Sequence, residues 1–209
     1  YKNIQLLCTE KLHIINNGTY IKTPKISKTE AKVYISTQIK NEYKKEKNCT
    51  LKTKIFNKEG NLVKKQETSN LIKSESQFNF EQELQVSNPD LWSVESPDLY
   101  HAESKLLIEG KKVDDYQTTF GIRDIDFDKE KGFFLNGKNI KMKGVNLHHD
   151  GGCLGAAVPK QSWKRRLKKL KEIGCNAVRT SHNPPASEFL DLCDEMGFLV
   201  IDEAFDKWM

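Results

Sequence analysis

Three groups of polar side chains in the last third of the sequence are the best candidates for chemistry, because each accompanies the end of an apolar stretch. His148 and Asp150 follow the first stretch, Arg179 and His182 end the second, and Glu203 follows the third. Imidazole and guanidinium groups donate hydrogen bonds and carboxylates accept them. A fixed cation such as Arg179 also keeps a neighbouring carboxylate ionised. The set is therefore suited to a polar ligand.

A repeating strand–helix pattern must position these groups. The hydrophobic spacing predicts strands and helices in alternation, with Gly174 and Gly197 ending the helices; the predicted elements are a strand over 140–147, a helix over 161–173, a strand over 176–180, a helix over 185–196 and a strand over 198–202. Such an order indicates a parallel sheet with right-handed crossovers. No Gly-x-Gly-x-x-Gly turn follows the first strand, so a dinucleotide fold is disfavoured.

Polar residues at the carboxyl ends of parallel strands are typical of a (β/α)8 barrel. A barrel needs about 250 residues, whereas about 70 follow Asn139. We therefore expect the first roughly three βα units of a truncated α/β (TIM) barrel. Just before it, residues 132–138 predict a hairpin with Asn136-Gly137 as a type I′ turn.

Residues 14 to about 122 have a different pattern, which predicts an immunoglobulin-like antiparallel β-sandwich. Residues 31–41, 49–57 and 76–86 alternate apolar and polar side chains, as half-buried strands do. Turn signals at Asn17-Gly18, 58–61 and 109–111 separate the predicted strands. The disulfide and core tryptophan of antibody domains are missing, so the likeness concerns architecture only. The first ten residues also predict a strand, with Ile4 and Leu6 on one face.

Composition excludes several classes of protein. No apolar run is long enough for a transmembrane span, and no export signal opens the chain. Five scattered cysteines with no Cys-x-x-Cys pair signal neither zinc nor a disulfide framework. The net charge is +5, and its densest run is 160–171. We interpret that run as the solvated face of the helix over 161–173, and not as a nucleic-acid footprint, because apolar residues occupy the other face: Trp163, Leu167, Leu170 and Ile173.

Six motifs, taken together, resemble glycoside hydrolase family two, the family of β-galactosidases, β-glucuronidases and β-mannosidases. They occur in the family's order across nearly the whole chain: LWSVESPDLY (91–100), FGIR (120–123), FLNGK (134–138), KGVNLH (143–148), NAVRTSHNP (176–184) and VIDEA (200–204). The resemblance implies the end of a jelly-roll domain at 1–13, the sandwich at 14–122 and the N-terminal part of the catalytic barrel at 123–209. Residues 148–157 are most similar to the galactosidase branch.

The resemblance also implies roles for the polar residues. It implies that His148, Arg179 and His182 bind the substrate sugar, with Arg179 beside the nucleophile, and that Glu203 braces the pocket from behind. Asp150 is a candidate acceptor for two vicinal sugar hydroxyls. His149 fits a solvated residue and a functional residue equally well. Trp208 fits a residue that stacks on a sugar face and a packed rim or core residue equally well.

Retaining glycosidases need two carboxyl groups about 5–5.5 Å apart. In family two both are glutamates on later strands, the acid/base within an Asn-Glu pair. The only Asn-Glu pair here is Asn41-Glu42, in the sandwich, so no catalytic residue is assigned in this chain. Lys207 and Met209 occupy the positions of a magnesium-binding Glu-x-His in some family members, and neither suits a cation that prefers oxygen ligands. No cofactor is therefore expected.

The function implied is part of a retaining exo-β-glycosidase that hydrolyses terminal β-galactosides, with carbohydrate as the binding partner. β-Glucuronidase or β-mannosidase activity and a non-catalytic carbohydrate-binding or spacer module are the alternatives. A truncated barrel would leave strand edges unpaired, so self-association into a homo-oligomer is expected.

The 209-residue chain alone is expected to hydrolyse no aryl β-galactoside, because both catalytic glutamates are expected outside it. The measurement is release of 4-nitrophenol by the purified chain against a blank preparation from the same host. Turnover above that blank would contradict the assignment.

Overall fold

The computed structural model describes residue 4 and residues 6–205, and it divides into two compact units. One holds 7–91 and 98–124; the other holds residues 4 and 6, residues 92–97 and the described residues from Ile125 onward. The first is all β, and the second mixes strands and helices. None of the described helices is long and apolar enough to cross a membrane.

The first unit is a seven-stranded antiparallel sandwich. Its strands are β1 (Leu12–Ile26), β2 (Glu30–Asn41), β3 (Lys47–Phe56), β4 (Leu62–Ile72), β5 (Ser76–Ser87), β6 (Tyr100–Ile108) and β7 (Lys111–Phe120). One sheet has the order β1-β2-β5 and the other β4-β3-β6-β7. Every second residue of β2 and β5 is buried, which is why their sequence alternates. The immunoglobulin-like prediction is confirmed, although β4 pairs with β3 in the larger sheet, unlike the constant-type strand order.

Two expectations about the first strands are wrong. Asn17-Gly18 is no turn between strands; it lies inside β1, where the pairing with β2 shifts between Ile14 and Thr19. Asn17 adopts φ +56°, and a side chain on Gly18 would place its Cβ 2.7 Å from the Ile15 carbonyl oxygen. The pair therefore makes a β-bulge. Residue 4 and residues 6–10 form no strand and are exposed.

The second unit begins with a small antiparallel sheet of β8 (Ile125–Asp128), β9 (Gly132–Leu135) and β10 (Lys138–Asn139). Asn136 and Gly137 have φ of +52° and +74°, so the predicted type I′ turn is confirmed. A parallel sheet follows, made of β11 (Gly144–His148), β12 (Ala177–Ser181) and β13 (Leu199–Ile201), in the order β11-β12-β13. Helices α1 (Lys160–Glu172) and α2 (Ser187–Met196) make the crossovers, and a single 3-10 turn spans Gly152–Leu154. This is the start of a TIM barrel, as predicted.

The first parallel strand is shorter than predicted because the Asn176 side chain takes the place of some backbone hydrogen bonds between the first two parallel strands. The Asn176 Oδ1 accepts a hydrogen bond from the Lys143 N–H at 2.7 Å, and the Asn176 Nδ2 donates to the Lys141 carbonyl oxygen at 3.0 Å. Residues 141–143 are held by this side chain, and regular pairing starts only at Gly144, which lies opposite Ala177.

Both helices bury apolar residues, with one correction to the predicted apolar face of α1. Trp163 and Leu167 of α1 are buried as expected, but Ile173 is 75% exposed because the helix ends at Glu172 and Ile173 is its C-cap. In α2 the buried residues are Phe189, Leu192 and Cys193; Leu190 and Met196 are half-buried. The helices pack on the sheet around a core that also includes Val178 and Phe198.

The basic run of α1 is not entirely solvated, which corrects the prediction at Lys171. Its Nζ donates to the carbonyl oxygens of Val94 at 2.7 Å, Met196 at 2.8 Å and Gly197 at 3.0 Å. Burial lowers the pKa of this ammonium group, opposed by the charge of Glu95. Lys171 therefore joins 92–97 to the end of α2. Trp92 is buried nearby, and its Nε1 donates to the Asp194 carbonyl oxygen at 2.9 Å.

Gly197→Ala is expected to destabilise the second unit far more than Gly174→Ala. Both glycines follow helices of that unit with positive φ, +69° and +87°, and alanine there costs about 1–2 kcal/mol. A Cβ at 197 would also lie 2.5 Å from the Val94 carbonyl oxygen, whereas one at 174 meets nothing within 4 Å. We expect a further cost of about 1–3 kcal/mol for that overlap. The measurement is urea unfolding by tryptophan fluorescence, since Trp92 and Trp163 lie in this unit; equal losses would contradict the overlap.

Thiol labelling should divide the cysteines by environment. Burial raises the pKa of Cys49 to about 11, and burial with the nearby Asp194 charge raises that of Cys193 to about 12. Cys8 and Cys153 are exposed. Because the thiolate is the reacting form, iodoacetamide at pH 8 should label Cys8 and Cys153 within minutes and leave Cys49 and Cys193 unlabelled. Peptide mass spectrometry gives the site, and the guanidine-unfolded chain is the control. Equal rates at Cys153 and Cys193 in the native chain would refute this.

Candidate active site

The predicted polar residues lie together at the carboxyl edge of the parallel sheet. Register brings them together: His148 pairs with Ser181 at the ends of β11 and β12, and Arg179 pairs with Ile201 near the end of β13. His182 follows β12 directly, and Glu203 is the second residue after β13. Strand ends that coincide in this way create the edge where barrel enzymes build their sites.

Glu203 contacts two of these residues at once. Its Oε1 accepts from the Arg179 guanidinium, with Nε and Nη2 both at 2.5 Å. Its Oε2 lies 2.8 Å from the His182 Nδ1. The Glu203 side chain is 20% exposed, and those of Arg179 and His182 are 39% and 35% exposed. One carboxylate therefore holds both the Arg179 guanidinium, which comes from within β12, and the His182 imidazole, which comes from the residue just after β12.

The contacts also set the charge of Glu203. Desolvation raises the pKa of this carboxyl group, but the hydrogen bonds from His182 and Arg179 and the charge of Arg179 outweigh it. The net effect is a pKa below the ordinary glutamate value. Glu203 is thus an anion at neutral pH, as expected for a carboxylate that accepts charge-assisted hydrogen bonds.

A second connection passes through Thr180, which the sequence reasoning did not single out. Thr180 is buried; its hydroxyl donates to the Asp202 Oδ1 at 3.0 Å and accepts from the Glu203 N–H at 3.1 Å. No sequence signal separates Thr180 from Ser181, the other hydroxyl residue of the same motif. It ties the backbone of Glu203 to β12.

The two histidines after β11 have different surroundings. The His148 ring packs edge-on against the His182 ring, with centroids 5.5 Å apart, so His148 joins the cluster. The His149 ring instead packs on Trp163 at 5.2 Å. His149 therefore packs towards α1, which favours a structural role. A small hollow beside the two histidines is lined by, among others, Thr180, Ser181 and Asn183.

Asp150 has a structural contact that the sequence did not reveal. Its Oδ1 accepts from the Gly152 N–H at 2.5 Å, at the start of the 3-10 turn. Its carbonyl oxygen accepts from the Arg166 Nη1 at 2.9 Å, and the Arg166 guanidinium lies over the Trp163 ring. One carboxylate oxygen of Asp150 thus accepts a hydrogen bond from the loop backbone and is less available to a ligand. The predicted role of both oxygens as acceptors for two vicinal sugar hydroxyls stays a prediction.

Within the described residues, no group of three or more His, Cys, Asp and Glu side chains could hold a metal ion. Lys207, Trp208 and Met209, on which the magnesium and sugar-platform arguments depend, lie outside the described residues. The expectation of no cofactor stays a prediction.

Comparison with known families decides the kinship of the chain. The model for "Glycosyl hydrolases family 2" matches residues 13–123, and that for "Glycosyl hydrolases family 2, TIM barrel domain" matches residues 127–206. The chain belongs to glycosyl hydrolases family 2. The resemblance drawn from the six motifs is confirmed.

The family 2 relatives of this chain are several times longer than it is. A β-galactosidase, BoGH2A, of Bacteroides ovatus is 42% identical over 208 residues, 100% of this chain and 24% of that protein. A putative β-glucuronidase of Formosa agariphila is 38% identical over 208 residues, 100% of this chain and 19% of that protein. The crystal structure of a family 2 member from Bacteroides cellulosilyticus matches with a TM-score of 0.91 and 38% identity, covering 94% of this chain and 27% of that one. The chain spans about a quarter of the length of such relatives or less.

The contacts of Glu203 should make the stability of the second unit dependent on pH. Its pKa is lower in the folded chain than in the unfolded one, so its contribution is fully present above the unfolded value of about 4.3 and is lost as pH falls through the folded value. Glu203→Gln imitates the protonated form. The difference in unfolding free energy between wild type and Glu203→Gln should be constant from pH 7 to about 5 and shrink below about 4.

Urea unfolding by tryptophan fluorescence at a series of pH values measures this difference. Glu195→Gln on the exposed face of α2, where Glu195 lies 3.4 Å from the Lys160 ammonium group, is the matched control. A wild-type advantage over Glu203→Gln that is unchanged at pH 3 would contradict the assigned ion pairs.

Proposed function

We propose that the complete protein is a retaining exo-β-glycosidase that hydrolyses terminal β-galactosides. The observation that carries the proposal is the cluster of His148, Arg179, His182 and Glu203 at the carboxyl ends of three adjacent parallel strands. Membership of family 2 and a relative named as a β-galactosidase, 42% identical over the full chain, support it.

In the proposed reaction two glutamates on later barrel strands carry out a double displacement. One attacks the anomeric carbon and the other protonates the leaving oxygen, then removes a proton from the water that releases the sugar. Arg179 is proposed to lie beside the nucleophile. Its charge keeps that carboxylate ionised, and its planar donors orient the attacking oxygen.

His148 and His182 are proposed to bind sugar hydroxyls. Their rings are held by packing against each other, and His182 is also held by Glu203, so little rotational freedom is lost when a sugar binds. Hydrogen bonds from fixed groups to sugar hydroxyls that strengthen in the transition state contribute to rate as well as to binding.

The relatives named as β-glucuronidases make glucuronide the main alternative substrate. β-Mannoside is the other alternative, together with a non-catalytic binding or spacer role.

A panel of 4-nitrophenyl glycosides tests the proposal on the enzyme expressed from the complete coding sequence. The β-galactoside should give a kcat/KM at least tenfold above those of the β-glucuronide and the β-mannoside, since one well-placed polar contact discriminates by that much or more. Arg179→Ala should lower kcat/KM on the β-galactoside by about 10²–10³-fold, as loss of one preorganised charge contact does. Glu195→Gln is the control and should leave kcat/KM unchanged.

A higher kcat/KM on the glucuronide would overturn the proposed substrate. Absence of turnover on all three glycosides by a folded complete protein would overturn the proposed reaction and favour the binding-module alternative.

A further inference from the structure

The hydrogen bond between Glu203 and His182 determines which nitrogen of the imidazole carries the proton. The Glu203 Oε2 and the His182 Nδ1 are 2.8 Å apart. An ionised carboxylate has lone pairs and no proton, so a short contact with an imidazole nitrogen is attractive only when that nitrogen bears the hydrogen. The Nδ1 of His182 is therefore the donor.

The Arg179 guanidinium cannot accept the hydrogen on the His182 Nδ1. Its Nη2 lies 3.4 Å from the His182 Nδ1, and a guanidinium has donors and no acceptor. Two N–H groups that point at one another cannot form a hydrogen bond, so both donate to Glu203 instead. The hydrogen on the His182 Nδ1 is therefore directed at Glu203 and not at Arg179.

We propose that Glu203 is a positioning residue that holds His182 as the Nδ1–H tautomer, so that Nε2 presents a lone pair to a sugar hydroxyl. The part that concerns the sugar rests on the proposed function; the part that concerns the tautomer rests on the contacts alone. A lone pair accepts an O–H donor and repels a carboxylate. The arrangement thus selects a neutral hydroxyl over a carboxylate at the position that faces His182.

The isosteric variant Glu203→Gln gives a sharp test because it should invert the tautomer. Arg179 donates to Oε1, so the amide oxygen of the variant takes that position and the amide NH2 faces His182. An NH2 donor needs a lone pair on Nδ1, which moves the ring proton to Nε2. A residue that merely fills space would not produce this switch.

The measurement is long-range ¹H–¹⁵N correlation NMR on the 209-residue chain labelled with ¹⁵N-histidine, at pH 7.5. The chain has five histidines, and His182→Asn identifies the His182 signals by their loss. Wild type should show a protonated Nδ1 and an unprotonated Nε2, with the Nδ1–H form in roughly tenfold excess or more, as a hydrogen bond to a charged group provides. Glu203→Gln should show the opposite pattern, and Glu195→Gln should match wild type.

An Nε2–H or imidazolium form in the wild-type chain would overturn the proposal, and this result needs no variant to fold. Wild-type behaviour in a folded Glu203→Gln chain would overturn the role of Glu203. In the complete enzyme, Glu203→Gln should lower kcat/KM on the 4-nitrophenyl β-galactoside at least tenfold. Unchanged kcat/KM with an inverted tautomer would refute the contact with a sugar hydroxyl, whereas no turnover by the wild-type enzyme would refute the proposed function and leave the tautomer result standing.

Discussion

The carboxylate of Glu203 is the interaction on which the polar end of the sheet depends. It contacts Arg179 with one oxygen and His182 with the other. Without it both the guanidinium and the imidazole would lose the carboxylate that accepts their hydrogen bonds, and both side chains would be freer to move. The same contacts make the positions of Arg179 in β12 and His182 just after β12 depend on Glu203, which lies after β13.

The scaffold that makes this possible is the close parallel pairing of β11 and β12. A side chain at Gly144 would place its Cβ 2.7 Å from the Ala177 carbonyl oxygen, so only glycine permits this approach at the start of the pairing. Asn176 replaces backbone partners for Lys141 and Lys143 just before it. Once the register is fixed there, His148 is brought opposite Ser181 at the far end, and its ring reaches that of His182.

A second set of contacts holds the helices behind the sheet. Lys171 donates to three carbonyl oxygens, two of them at the end of α2 and one at Val94. Unpaired carbonyl groups at a helix end carry partial negative charge, so a cation there is favourable. Gly197 allows the chain to turn at the same place with positive φ. Residues 92–97, distant in sequence, thus become part of the helical layer.

Much of this could be predicted from the sequence, because local chemistry determines it. Alternation predicted β2, β3 and β5 to within two residues, and the spacing of Trp163 and Leu167 predicted α1. Asn136-Gly137 predicted its turn, since both residues accept positive φ. The motifs around Arg179, His182 and Glu203 identified the family and the polar edge. The turn signal failed at Asn17-Gly18, where the dipeptide lies at a bulge within a paired strand.

Only the tertiary structure decided which partner each polar group has. The sequence presented Lys171 as one of seven basic residues in a run, and folding alone placed its ammonium group on three carbonyl oxygens. It presented Asp150 as a free acceptor, although the loop uses one of its oxygens. The hydrogen-bond partners of the Thr180 hydroxyl and of the His182 Nδ1 come from residues more than twenty positions away. Periodicity reports which face of an element is apolar, but a hydrogen bond depends on distances of a few tenths of an ångström between elements, and those are set only when the sheet is assembled.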